Sequence, residues 1–182
     1  VPKDVKIVIS CFKGLKNEIV GSIGKKNKNI EIQESEKSDF CSIINNTEIS
    51  TEWFSILEYD DIYSDIWFKT VCEYETYYPE YSIMLPLEDL YDFTNGKFVG
   101  NGNEAPWASS FSNSLGEIDN DCLQEFYDFY MTGGMFKTSD FKEVGMLKAS
   151  MKLTFWQEFM LRATNLGKKI YVYDSKGNSI EL

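Results

Sequence analysis

The chain contains no histidine among its 182 residues. That removes the commonest general base, the commonest metal ligand, and any Ser–His or Cys–His catalytic pair. Its four cysteines, Cys11, Cys41, Cys72 and Cys122, lie thirty or more residues apart. Neither a CxxC pair nor a zinc spacing can be built from them. Cys11 and Cys72 stand in strand-like apolar runs, where a buried thiol is expected. No GxSxG elbow is present. No apolar stretch is long enough to cross a bilayer: the longest, Val5 to Phe12, is broken by Lys6 and Ser10. With no secretory leader in view, a cytoplasmic location is expected.

Three partial motifs also fail. Gly21-Ser-Ile-Gly24-Lys25 has the wrong glycine spacing for a phosphate loop, and no Ser or Thr follows the lysine. Gly100-Asn-Gly102 lacks the third glycine of a dinucleotide site. Asp119-Asn-Asp121 begins like a calcium loop, but Leu123 occupies the next ligand position and no glutamate closes it. No cofactor and no metal are therefore expected.

Positive charge is scarce where negative charge is dense. The net charge is −11. Residues 51–130 hold 17 acidic and 2 basic side chains, whereas the two flanking segments nearly balance. Such a field repels nucleic acid and anionic lipid and attracts basic partners, although an acidic surface also serves solubility alone. The stretch Glu52 to Phe93 concentrates the pattern, with eleven acidic residues, twelve aromatic residues and one lysine.

The length fits one domain spanning residues 1–182. Val5 to Phe12 is β-branched and predicts a buried strand, followed by helical spacing at Leu15, Ile19, Val20 and Ile23 and a second strand at Ile30 to Gln33. Residues 34–50 are polar and predict a loop with one helical turn. Trp53, Phe54, Ile56 and Leu57 predict a short buried helix. Ile66 to Tyr78 alternates, with Phe68, Thr70, Cys72, Tyr74, Thr76 and Tyr78 on a packed face and Lys69, Val71, Glu73, Glu75 and Tyr77 on a wet one. It predicts a strand that turns at Pro79-Glu80 and pairs with Tyr81 to Leu85. Pro86 then starts a short helix over LEDLYDF, and Asn101-Gly102 suits a brief hairpin. Asp119 to Met131 predicts a capped amphipathic helix, Leu153 to Leu166 a stronger one ending at Gly167, and Ile170 to Tyr173 a strand. The fold class expected is α+β: a single domain with a mainly antiparallel sheet, centred on Ile66 to Leu85, and packed helices.

The candidate binding residues follow from the acidic, aromatic centre. Asp60, Asp61, Asp65, Glu73, Glu75 and Glu80 are the carboxylates placed to meet a basic protein, and Tyr77 and Tyr78 the buried anchors. The Tyr74, Tyr77, Tyr78, Tyr81 group serves equally well as sheet packing. Carboxylate chemistry on a sugar is the alternative use: Asp60 with Asp65, or Glu73 with Glu75, as acid and base, and Trp67 or Tyr77 as the stacking platform.

This combination of small size, acidity and aromatic anchors resembles the immunity proteins of bacterial toxin systems, including contact-dependent growth inhibition. Leu85-Pro86-Leu87-Glu88-Asp89-Leu90-Tyr91-Asp92-Phe93, followed by Asn95-Gly96, resembles the LP, Phe and NG pattern of the SMI1/KNR4-type (SUKH) superfamily. The resemblance implies a non-enzymatic protein that neutralises a basic toxin domain, of nuclease type, by occluding its active site, with neither nucleic acid nor membrane as partner. A carbohydrate-binding or carbohydrate-active protein is the alternative, and a DNA mimic that occupies a nucleic-acid-binding protein is a further one.

Overall fold

The computed structural model describes residues 5–12, 30–35, 40–58, 61, 63, 67–92, 94–104, 116–126 and 129–173, with backbone alone at 5–12, 30–35, 68 and 71. Seven strands form one mixed sheet. These are β1 (Val5–Phe12), β2 (Ile30–Ser35), β3 (Trp53–Glu58), β4 (Tyr81–Pro86), β7 (Glu117–Ile118), β8 (Met135–Lys137) and β9 (Lys169–Tyr173). Their spatial order is β2-β1-β3-β8-β4-β9-β7. Two more strands, β5 (Glu88–Tyr91) and β6 (Phe98–Gly102), pair only with each other as an antiparallel ribbon. Five helices complete the described chain: α1 (Phe40–Asn46), α2 (Trp67–Tyr77), α3 (Asn120–Glu125), α4 (Thr138–Glu143) and α5 (Phe155–Asn165).

The expected α+β domain is what forms, and four of the seven described ladders are antiparallel. The other three are parallel: β1 with β2, β1 with β3, and β4 with β9. Because β8 runs against both β3 and β4, those two strands point the same way. The carboxyl ends of β1, β3, β4 and β9 therefore gather at one end of the sheet.

The middle strands are covered on both faces, which is why they read as unbroken apolar runs. All six residues of β4 are buried, as are the first four of β3. One face of the sheet presents Phe54, Ile56, Ile83, Leu85, Phe136, Ile170 and Val172, which cluster with Ile44 of α1, Leu123 of α3, Phe141 of α4 and Phe159 of α5. Phe54 stacks on Phe136 at 5.2 Å and meets Phe141 edge-on at 5.1 Å. On the opposite face lies α2, whose Tyr74 ring packs 4.9 Å from Tyr173.

Helix α2 corrects the expectation of a strand over Ile66 to Tyr78. Trp67, Thr70, Tyr74 and Tyr78, spaced by three and four, turn inward, while Lys69, Cys72, Glu73, Thr76 and Tyr77 are exposed. Cys72 and Thr76, assigned to a packed face by alternation, are on the solvent side. Tyr81 to Pro86 accordingly pairs with β8 and β9, not with residues 66–78. Trp53 to Leu57 is a strand and not a helix. The LEDLYDF segment contributes β5, and Pro86 ends β4. Gly102 lies in β6, and the ribbon turns instead at Asp92 to Gly96, where Gly96 N–H donates to Asp92 O at 2.8 Å with Gly96 at φ 65°. That positive φ suits glycine.

Other expectations hold. Strands β1, β2 and β9 and helix α5 lie where local pattern places them. Asp119 caps α3 by accepting the Cys122 N–H at 2.8 Å, although the helix ends at Glu125 and not Met131. The helical spacing at Leu15 to Ile23 and the last strand expected at Ser179 to Leu182 fall outside the described residues.

Candidate functional site

Open sheets with parallel strands bind ligands beyond the strands' carboxyl ends, where the strand order reverses. Here β1 is flanked by β2 on one side and β3 on the other, both parallel to it. The reversal point lies between the ends of β1 and β3, with Ser10 opposite Glu58. Three acidic residues assemble at this end. Glu58 closes β3, Asp61 follows it, and Glu88 begins β5 directly after Leu87.

The backbone around them is tightly held. Asp61 N–H donates to Glu58 O at 3.2 Å, and Gly133 N–H to Ile56 O at 2.7 Å. Glu58 N–H donates to Thr132 Oγ1 at 3.2 Å, and Trp67 Nε1 to Gly133 O at 3.0 Å. Tyr63 packs 4.0 Å from Trp67 and shares a 2.9 Å hydrogen bond with Ser55 Oγ. Burial pushes the Tyr63 phenol far up from its ordinary pKa. On the ribbon side, Asn103 Nδ2 donates to Pro86 O and to Tyr130 O, each at 2.9 Å. Gly102 pairs with Glu88, and a Cβ there would lie 2.9 Å from the Tyr130 ring and 3.3 Å from Glu88 Cβ. Glycine is thus what lets Tyr130 lie beside Glu88.

Glu88 is the unusual group. Its Oε1 is shielded from solvent and has no hydrogen-bond partner among the described residues. Burial, with the charges of Asp61 and Glu58 added, pushes its carboxyl up to about 8. At neutral pH the carboxyl is protonated, so this end of the sheet offers a neutral acid beside two carboxylates.

Of the residues singled out in the sequence, only Asp61 is seen here; Asp60 and Asp65 lie outside the described residues. Glu73, Glu75, Tyr77, Tyr78 and Glu80 do not join it. The eleven residues of α2 carry the chain about 16 Å back toward the start of β4. Glu73 and Glu75, expected to share a strand face, point to different sides of a helix, and Glu73 pairs with Lys69 at 3.7 Å. Tyr77 is 73% exposed. Tyr78 spends its ring inside the fold, stacked on Tyr74 at 5.4 Å and Tyr171 at 5.8 Å. Glu80 is exposed, and Tyr81 beside it is pushed up to about 12 by burial first, then by the charges of Glu117 and Glu80. Trp67, considered as a sugar platform, is 2% exposed and cannot stack on a ligand.

The sequence reading missed Glu58, Glu88, Asn103 and Tyr130. For Glu58 a signal existed: reading Trp53 to Leu57 as a strand would have put the following acids at its carboxyl end.

A small cleft of about 10 Å³, room for no more than a water molecule, lies at the other end of the sheet, lined by Ser82, Phe136, Phe141, Phe159, Asp140 and Lys168 among others. Ser82 Oγ donates to Asp140 Oδ2 at 2.6 Å, and Lys168 Nζ to Asp140 Oδ1 at 3.0 Å and Glu143 Oε2 at 2.7 Å. Its polar groups are satisfied by one another and its walls are core aromatics, so we place the functional site at the carboxyl ends. Among the described residues, no three His, Cys, Asp or Glu converge to hold a metal ion, and no helix is long and apolar enough to cross a membrane.

No protein-family model and no curated protein matches the chain. Solved structures do. The fold is similar to that of Staphylococcus aureus TarS, with a TM-score of 0.64 and 12% identity over 95% of this chain and 35% of that one. A shorter TarS structure, residues 1–349, gives 0.60 and 16% identity over 95% of this chain and 50% of that one. This chain thus spans a third to a half of the proteins it matches. The match overturns the immunity-protein expectation and its SUKH resemblance. Leu85 to Gly96, which carried that resemblance, is the end of β4 followed by one arm and the turn of a ribbon. At this level of identity, what the chain shares with TarS is its fold.

Proposed function

We propose that this chain is a carbohydrate-recognising domain of the glycosyltransferase type, holding a sugar-bearing ligand at the carboxyl ends of β1, β3 and β4. The observation that carries the proposal is the fold shared with TarS, a wall teichoic acid N-acetylglucosamine transferase, over 95% of the chain. The chemistry at the strand ends suits such a ligand. Glu58 and Asp61 are exposed acceptors for sugar hydroxyls, and Tyr130, 38% exposed, offers a ring face beside Glu88. The proposal is one of binding, without an assigned catalytic step. It replaces the toxin-blocking role with the alternative that the same acidic and aromatic composition had suggested.

The test is ligand-observed NMR of the full chain against a panel of nucleoside-diphosphate sugars and free oligosaccharides. Binding by one class, weakened at least fivefold by Asp61→Asn and by Tyr130→Ala while Glu73→Gln has no effect, is the expected result. No saturation transfer from any member at roughly millimolar ligand would overturn the proposal. Turnover of a donor sugar in the presence of an acceptor would extend binding to transfer and replace the non-catalytic reading.

A further inference from the structure

The β5–β6 ribbon is a structure that needs an anchor. Two isolated strands are marginal in water, and this pair has a register shift between Leu90 and Tyr91. Its outer surface is apolar and exposed: Tyr91 is 60%, Phe98 54% and Val99 64% accessible. What fixes the ribbon is its root. Leu87 N–H donates to Tyr173 O at 3.0 Å, Asn103 ties Pro86 to Tyr130, and Gly102 sits against the Tyr130 ring. Glu88 stands in the middle of that root with an oxygen that is shielded from solvent and, among the described residues, has no hydrogen-bond partner.

We infer that Glu88 is a proton-operated latch: as the neutral acid it lets the ribbon root close against the ends of β3 and β9, and as the carboxylate it favours release of the root. The inference concerns regulation of the strand-end site and does not depend on the ligand proposed for it. The groups facing Glu88 make the direction plain. Asp61 and Glu58 approach from the end of β3, and the Tyr173 phenol from β9. The charges of the first two act against ionisation of Glu88, and Tyr173 is itself pushed well above its ordinary value, first by burial, so it stays neutral. From β6 the neighbour is Gly102, with Tyr130 behind it. A second negative oxygen at Glu88 therefore meets desolvation and like charge together, and opening the root relieves both.

The sign follows from linkage. The closed root holds Glu88 at about 8, whereas a solvated glutamate ionises near 4.5. Closure therefore binds a proton. Its stability is fully present below about 4.5, declines as pH rises toward 8, and levels beyond.

Backbone amide exchange of the full chain tests this, with rates corrected for intrinsic pH dependence. In the wild type, protection of amides in Asp89–Tyr91 and Phe98–Gly102 should fall at least tenfold between pH 6 and pH 8, with β3 and β4 amides falling less. Glu88→Gln, which stays neutral, should hold ribbon protection flat across the same range. A carbon-detected titration of the Glu88 carboxyl supplies an independent readout, and Asp61→Asn should lower its midpoint. Flat ribbon protection in the wild type, an unchanged fall in Glu88→Gln, or a Glu88 midpoint near 4.5 would each overturn the latch.

Discussion

Asn103 grips Tyr130 from both sides of one side-chain amide. Its Oδ1 accepts the Tyr130 N–H at 3.0 Å while its Nδ2 donates to the Tyr130 carbonyl at 2.9 Å. The same Nδ2 reaches Pro86 O, so one 3% exposed side chain joins the end of β4, the end of β6 and the segment leading to β8. Its backbone has φ 60°, a left-handed conformation that asparagine accepts better than most residues.

Replacing Asn103 by alanine should therefore cost more than one hydrogen bond. It strands the buried carbonyl of Pro86 and both polar groups of the Tyr130 backbone, and it puts a Cβ without compensation in a left-handed position. We expect a loss of about 2–4 kcal/mol, read from urea unfolding. Asn103→Gly, which removes the strain but not the orphaned groups, should recover only part of it. Equal stability of Asn103→Ala and the wild type would show that water fills the same role.

Arg162, the chain's one arginine, makes a comparable junction between α5 and the turn after α4. Its guanidinium holds Glu158 through Nε at 2.7 Å and Nη2 at 2.9 Å, and donates to the carbonyls of Val144 and Met146. Those carbonyls flank a turn in which Gly145 has φ 94° and Met146 φ 57°. A lysine carries the charge but not the planar fork. Arg162→Lys should lower stability by about 1–3 kcal/mol and expose the 144–147 turn to protease. Unchanged cleavage and unchanged melting would mean that the turn is held by backbone bonds alone, such as Met146 N–H to Phe141 O and Gly145 N–H to Lys142 O, each at 3.0 Å.

Where local pattern and tertiary packing agree, the sequence was sufficient. The β-branched run of β1, the 3.6-residue spacing of α5 with Gly167 beyond it, and the acidic cap of α3 needed no neighbours to be recognised. Two segments needed them. Trp53 to Leu57 is buried on both faces, and a run apolar all round has no period to tell strand from helix. In residues 67–77, aromatic and β-branched composition favours a strand, yet the segment covers a sheet face, and a helix turns Trp67, Thr70, Tyr74 and Tyr78 onto it. These two inversions hid the site. Without β3 there is no carboxyl end for Glu58 and Asp61 to occupy. Glu88 joins them only because β4 returns beside β8, which no local pattern encodes.

Cys72 separates the two readings of that segment. Alternation puts its thiol in the packed face of a strand; the helix puts it on the exposed side of α2, whereas Cys41 and Cys122 are buried at 3% and 0% exposure. Burial also pushes the Cys122 thiol up to about 11, with Asp119 adding to the effect, which leaves little reactive thiolate at neutral pH. Iodoacetamide at pH 7.5 should alkylate Cys72 in the native protein at least tenfold faster than Cys41 or Cys122, as read by peptide mass spectrometry. Protection of Cys72 equal to that of Cys122 would contradict the helix.

The Asp140–Lys168 contact predicts an acid-sensitive joint between α4 and β9. Burial pushes the Asp140 carboxyl up, but hydrogen bonds from Ser82 and Lys168, with the Lys168 and Lys137 charges, outweigh it and hold it below its usual value. A carboxylate depressed in this way stabilises the fold above its unfolded pKa, and the contribution disappears as pH falls through the lower, folded value. The window therefore lies below pH 4. The Lys168 ammonium, raised by Glu143 and then Asp140, keeps its charge throughout that window and does not set it. Asp140→Asn should lower stability by about 1–2 kcal/mol at pH 7, because Ser82 and Lys168 lose their charged acceptor, and should flatten the dependence of the melting temperature on pH between 2.5 and 4. Glu143→Gln, which alters a partner that is 66% exposed, should change neither by much. If Glu143→Gln matched Asp140→Asn, Lys168 would draw its stabilising partner from the exposed Glu143 and not from Asp140 in the first turn of α4.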